Sequence, residues 1–176
     1  CEGACFIRLD PVLARMRSLI CLFSSMPLSL PYYRSSKLST WVSNQLSSGT
    51  IKHTVVFSSA MAQYISETGI ACSVIDFVDV DSDKWSQYAS TKVWPQKWVY
   101  QREANLLLEY EKYVTKKCSY ATFVSEKEAG LFKQLSPEVE NKITYFNNGV
   151  DTEYFSPSQN FANPYKPDTR VLVFTG

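Results

Sequence analysis

The chain has 176 residues, 45% apolar and 20% charged, with 18 Lys+Arg against 17 Asp+Glu for a formal charge of +1. This suits one domain with a real core, excludes a disordered or collagen-like chain, and gives no electrostatic footprint for nucleic acid. The single His and five scattered cysteines (Cys1, Cys5, Cys21, Cys72, Cys118), with no Cys-x-x-Cys, leave no zinc spacing and no disulfide framework.

In chain order, Ala4–Leu9 reads as a strand. Asp10-Pro11 then supplies an N-cap and a proline at the first helical position. Val12, Leu13, Met16, Leu19, Ile20 and Phe23 follow at helical spacing to about Ser24. Arg8, Arg15 and Arg17 flank that stripe, so the helix is either an ordinary surface helix with one core face or a basic amphipathic helix on a membrane. Pro27 and Pro31 bracket an expected extended loop to Tyr33. A helix is predicted from about Ser36 to Leu46, ended by Gly49.

Ile51–Phe57 reads as a strand, with Ser58-Ser59 and a short helix after it. Cys72–Val80 is a second strand, and Asp81 is placed to cap a helix carrying Trp85 and Tyr88. Pro95 opens the longest helix, whose last turn holds Lys116 and Lys117 at the negative end of its dipole. Tyr120–Val124 is a strand, and Ser125-Glu-Lys-Glu128 is a capping box for a helix that stops before Ser136-Pro137. Lys142–Phe146 is a short strand leading to Asn147-Asn-Gly149, a turn by composition. Residues 156–168 have three prolines and no period. Strands alternating with helices predict an α/β fold: a Rossmann-like parallel sheet with crossover helices, its strands buried on both faces.

Ligands of open parallel sheets bind beyond the carboxyl ends of the strands, so residues there carry the functional expectation. Ser58 and Ser59 offer hydroxyls and backbone N–H groups to a sugar hydroxyl or phosphate, or one of them is only an N-cap. Asp76, Asp79, Asp81 and Asp83 lie in one acidic stretch. A carboxylate at such a strand end can orient a hydroxyl or act as a base, whereas capping alone explains Asp81 and Asp83. The stretch lacks the Gly and terminal Glu of a calcium loop. His53 has no readable Ser or Cys partner, and Trp94, Trp98, Tyr100 and Arg102 line a cleft or pack in the core.

Phe123-Val-Ser-Glu-Lys-Glu-Ala129, Asn148-Gly-Val-Asp151 and Tyr154-Phe-Ser-Pro157 resemble the succession found in family 4 glycosyltransferases of the GT-B fold. Pro27–Arg34, Phe57–Tyr64, Asp79–Trp85 and Arg102-Glu-Ala with Tyr110-Glu111 are similar to the bacterial sugar transferases of exosortase (PEP-CTERM) exopolysaccharide loci. The resemblance implies retaining transfer of a sugar from a nucleotide-sugar donor to a glycan or lipid-linked acceptor, with no cofactor and no metal. It implies an acceptor-side N-terminal domain over residues 1–155, a linker over 156–170 and the first strand of a donor domain from Val171, the piece alone being inactive. Asp79 and Asp81 then take the acceptor-side catalytic role, where many relatives carry a histidine, while Ser58, Ser59, Asn148 and Gly149 bind substrate. The implied setting is cytoplasmic, with peripheral contact at the inner membrane. The alternative is a non-catalytic α/β module that binds a glycan or partner.

Overall fold

The computed structural model describes residues 3–66, 72–156, 158–159, 161–162, 164–166 and 168–172. It is α/β, with four strands in one parallel Rossmann-like sheet in the order β1-β2-β3-β4. The strands are β1 (Val55–Phe57), β2 (Cys72–Val78), β3 (Cys118–Phe123) and β4 (Ile143–Tyr145). The helices are α1 (Pro11–Ile20), α2 (Ser29–Tyr33), α3 (Ser36–Ser47), α4 (Gln63–Ser66), α5 (Asp81–Ser90), α6 (Gln96–Lys117) and α7 (Glu126–Leu135). Single 3₁₀ turns cover Cys21–Phe23, Ser59–Ala62 and Pro137–Lys142.

This strand order decides where the core lies. Each crossover steps to the next strand in the same direction, and right-handed crossovers of that kind fall on one face. Accordingly Val56, Ile75, Phe77, Ala121, Phe123 and Ile143 pack with Ala62, Val114, Ala129, Phe132 and Val139 from the crossovers. Phe77, Phe123 and Phe132 form a ring trio with centroids 5.1 to 5.7 Å apart. Such ring pairs add about 0.5–1.5 kcal/mol each beyond area burial. The expectation of two buried faces is corrected: Val55, Phe57 and Tyr120 on the other face are 75%, 64% and 56% exposed.

Other expectations shift in detail. Ala4–Leu9 is irregular and runs beside α1, pairing with no strand among the described residues. The expected extended loop instead contains α2, which tolerates Pro31 because the first turn needs no intrahelical N–H. α3 ends as expected, with Gly49 at φ 71 just past its cap. β1 and β3 are offset from their predicted bounds by the register Val56↔Ile75↔Ala121↔Ile143. The described residues of 156–172 hold no helix or strand, and the expected strand from Val171 falls largely on 173–176, outside the described residues. Cys5, Cys21 and Cys118 are free thiols, of which only Cys118 is buried.

α6 is the longest helix, and it buries two carboxylates, Glu103 and Glu111. Glu103 accepts from Leu28 N–H at 2.7 Å, Ser29 N–H at 3.1 Å and the Ser29 hydroxyl at 3.1 Å. It therefore caps α2 from another helix, satisfying donors that a helix start leaves open. Next to it, Arg102 donates to the carbonyls of Cys21 at 3.3 Å, Ser24, and Met26 at 3.2 Å. At the far end, the carbonyls of Lys116 and Cys118 receive Lys142 Nζ at 2.8 and 2.9 Å. Lys116 itself pairs with Glu138, and Lys117 lies over the Tyr113 ring.

Replacing Glu103 by Ala leaves two partly buried N–H groups, those of Leu28 and Ser29, unpaired. The expected cost is about 3 kcal/mol, from about 1–3 kcal/mol per orphaned donor. Urea unfolding checks it, and a midpoint unchanged from wild type would refute the capping role.

Candidate functional site

All four strands end at the same edge of the sheet, as parallel pairing requires. Two neighbouring ends are strained there. Ser58, just after β1, has φ 75, and Val78, the last residue of β2, has φ 68. Positive φ is an outlier for a β-branched residue and costs on the order of 1–3 kcal/mol. Local bonds hold both in place: Ser58 N–H donates to the Asp76 carbonyl at 2.8 Å, and Val78 N–H to Asp76 Oδ1 at 3.0 Å. Asp79 N–H donates back to the Phe77 carbonyl at 2.9 Å, closing a tight turn about Val78. Val124 N–H donates to the Val78 carbonyl at 2.8 Å and anchors this turn to the end of β3. Asp76 is thus absorbed in backbone geometry, which accounts for its presence without a ligand role.

The strained ends bring four side chains together. The Ser59 hydroxyl donates to Asp81 Oδ2 at 3.1 Å, joining the β1 and β2 loops. Lys84 Nζ lies 2.7 Å from Asp79 Oδ2 and 3.5 Å from Asp81 Oδ1. Ser59 is buried, while Asp79 and Asp81 are about one-third exposed. Partial burial works against the Lys84 charge, but the bond to Asp79 and the charge of Asp81 outweigh it and raise the ammonium pKa. Neither serine hydroxyl caps the 3₁₀ turn that follows β1, so the capping explanation for them is set aside.

Asp81 does not cap α5 either; it is the first helical residue. The cap comes from two other helices. Glu128 Oε2 accepts from Val80 N–H at 2.9 Å, and Glu111 Oε1 accepts from Ser82 N–H at 3.3 Å. The Ser82 hydroxyl lies 2.6 Å from Glu111 Oε2. Ser125 performs its half of the expected capping box, accepting from Glu128 N–H at 3.2 Å. The Glu128 carboxylate serves α5 instead of reaching back. The start of α5 is therefore closed by carboxylates and offers no seat for a phosphate.

Asn148 and Gly149 follow β4 at this edge but stand apart from the cluster. They lie two strands from Asp79, roughly 10 Å of sheet, and no bond links them to it among the described residues. Phe146 N–H donates to the Phe123 carbonyl, after which the chain is exposed. Gly149 is not left-handed, and a Cβ there would meet nothing within 4 Å. The turn expected at Asn147–Gly149 does not form; the chain turns instead at 152–155, where Asp151 Oδ1 accepts from Glu153 and Tyr154 N–H. His53 precedes β1, at the opposite edge. Trp94 and Trp98 are exposed, while Tyr100 packs against Trp85 and Tyr88 between α5 and α6.

Comparison with protein-family models, with curated proteins and with solved structures finds no match. Sequence reasoning singled out Ser58, Ser59, Asp79 and Asp81. It passed over Lys84, although its spacing three residues from Asp81 was a readable signal. It also passed over the strain at Val78 and the role of Glu111 beneath the cluster.

Burial pushes the Glu111 carboxyl from the ordinary 4.5 to about 8; the Ser82 bonds oppose this and the Asp81 charge adds to it. The folded-state value lies above the unfolded one. The stability tied to Glu111 is thus fully present below about pH 4.5 and is lost as the pH rises toward about 8. Glu111→Gln stays neutral, keeps Oε1 to accept from Ser82 N–H and can donate from Nε2 to the Ser82 hydroxyl oxygen, so it should flatten that decline. Melting temperatures from about pH 5 to about pH 9 test this; parallel wild-type and variant curves would count against it.

Proposed function

We propose that this chain supplies the acceptor side of a retaining glycosyltransferase, which moves a sugar from a nucleotide-sugar donor to a glycan or lipid-linked acceptor. The observation that carries the reading is the Ser59–Asp81 bond. It gathers hydroxyl and carboxylate groups from two strained strand ends at the carboxyl edge of a parallel sheet, where such folds place ligands. The resemblance of the ordered motifs supports the same reading.

The chemistry on offer suits a sugar hydroxyl better than a phosphate. Asp79 has Oδ2 on Lys84, which leaves Oδ1 to accept from a hydroxyl. The Ser58 hydroxyl makes no bond among the described residues and lies on the neighbouring loop. Asp79 and Asp81 would orient an acceptor hydroxyl, Ser58 would supply a further hydrogen bond, and Ser59 would hold Asp81 in place. Asn148 and Gly149 are assigned to the rim of the cleft, away from that hydroxyl. The family reading supplies the donor side, a cytoplasmic setting and the absence of a metal.

One observation favours the second reading, a non-catalytic module that binds a glycan or partner. Asp79 Oδ2 is already held by Lys84 Nζ at 2.7 Å, an arrangement that suits holding a ligand as well as reacting with one.

Transfer from a panel of nucleotide sugars by the full gene-encoded protein separates the two. Asp79→Asn and Asp81→Asn should each lower turnover on the order of a hundredfold, with melting temperatures near wild type. Turnover unchanged in both variants would remove the aspartates from the site. Glycan binding without any transfer would favour the module.

A further inference from the structure

The first helix faces the wrong way for a core helix. Its buried residues are the small ones, Ala14 and Ser18. The Ser18 hydroxyl donates to the Leu28 carbonyl at 2.9 Å and seats this face on the start of α2. The large apolar residues Val12, Leu13, Met16, Leu19, Ile20 and Phe23 are 58% to 90% exposed. Phe6, in the irregular segment beside the helix, is 93% exposed.

At 3.6 residues per turn, the five apolar residues within α1 fall on an arc of about 120°. The midpoint of that arc is opposite the Ala14–Ser18 face. Arg15 lies about 40° beyond one border and Arg17 about 40° beyond the other. Leu13, Met16 and Ile20 of the stripe form one wall of a shallow groove with Phe6, and Arg8, Arg34 and Lys37 line the same groove. Arg17 donates to the Arg34 carbonyl at 2.9 Å, holding part of this rim together. Among the described residues, the acid beside this helix is Asp10, whose Oδ1 accepts from Val12 and Leu13 N–H.

We infer that α1, with Phe6 and Phe23, is a docking surface for a lipid bilayer carrying anionic headgroups. Exposed apolar side chains on an amphipathic helix enter the boundary between headgroups and acyl chains. Arginines at both borders keep their stems along the apolar layer and their guanidiniums at phosphate level. A second copy of this chain fits poorly: a two-fold contact through the stripe would set the two basic rims against each other. No helix among the described residues is long and apolar enough to cross a membrane. The inference uses only this helix and its rim and does not depend on the sugar-transfer reading.

Flotation of the full chain with vesicles tests it. One set is phosphatidylcholine alone; the other is equal parts phosphatidylcholine and phosphatidylglycerol. The chain should float with the anionic vesicles at low salt and less so at high salt. Arg8→Gln with Arg15→Gln should lower partitioning on the order of twentyfold, at roughly fivefold per charge. Leu19→Asp with Ile20→Asp should abolish flotation; both positions are exposed, so its circular dichroism and melting should match wild type. Wild-type chain left at the bottom with anionic vesicles would overturn the inference. So would undiminished flotation of the Leu19→Asp/Ile20→Asp variant. A solution dimer that this variant dissociates, without vesicle binding by wild type, would also overturn it and assign the surface to self-association.

Discussion

Two buried carboxylates on one helix hold this fold in register. Glu103 and Glu111 are eight residues apart on α6, about 12 Å along its axis, and both are essentially inaccessible. Burying such groups is costly unless every acceptor is used. Here each serves the start of another helix, Glu103 that of α2 and Glu111 that of α5. The two short elements thereby receive caps that their own sequences lack. α6 then acts as a post: the first helical layer is tied at one level and the loop after β2 at another.

The lower tie reaches the candidate site directly. Ser82, held by Glu111, is the residue after Asp81, so the carboxyl of α6 sets where the Asp81 side chain starts. Ser59 and Lys84 then fix where it ends. The same capping removes a chemical option. With Val80 and Ser82 N–H groups already paired to Glu128 and Glu111, the positive end of α5 is spent inside the protein. What remains at the edge is a hydroxyl, two carboxylates and an ammonium. Such a set has the donors and acceptors that a hydroxyl group can use. An open helix start or a glycine-rich loop, two common seats for a diphosphate, is not offered by this cluster.

Much of the architecture was legible in the residues. Strand and helix alternation, Pro95 before α6, Ser125 before α7 and Gly49 after α3 are local signals, and each marks a real boundary. Nonlocal features were not legible. Glu111 to Ser82 spans 29 residues, Glu128 to Val80 spans 48 and Glu103 to Leu28 spans 75, so no window of sequence shows that a glutamate caps a distant helix. The open sheet face was hidden for a related reason. Val55-Val-Phe57 has the composition of a strand buried on both sides, and only the direction of the crossovers shows that, among the described residues, one side carries no helical layer. At the site, Ser58, Ser59, Asp79 and Asp81 were found because strand ends can be read locally. Lys84 and the strain at Val78 follow from how the two loops meet.

The first helix shows how far a periodic pattern can go. A stripe at positions 12, 13, 16, 19 and 20 has the same period whether it faces a core or a solvent boundary. The discriminating information lies on the opposite side. Ala14 and Ser18 are small enough to let the helix approach α2 closely, and the Ser18 hydroxyl finds a carbonyl there; no large side chain competes for that contact. Once the small face is packed, helix geometry leaves the large residues no inward direction. Arginines at both borders are costly beside a protein core and favourable beside phosphates, so packing and charge assign the stripe outward on independent grounds.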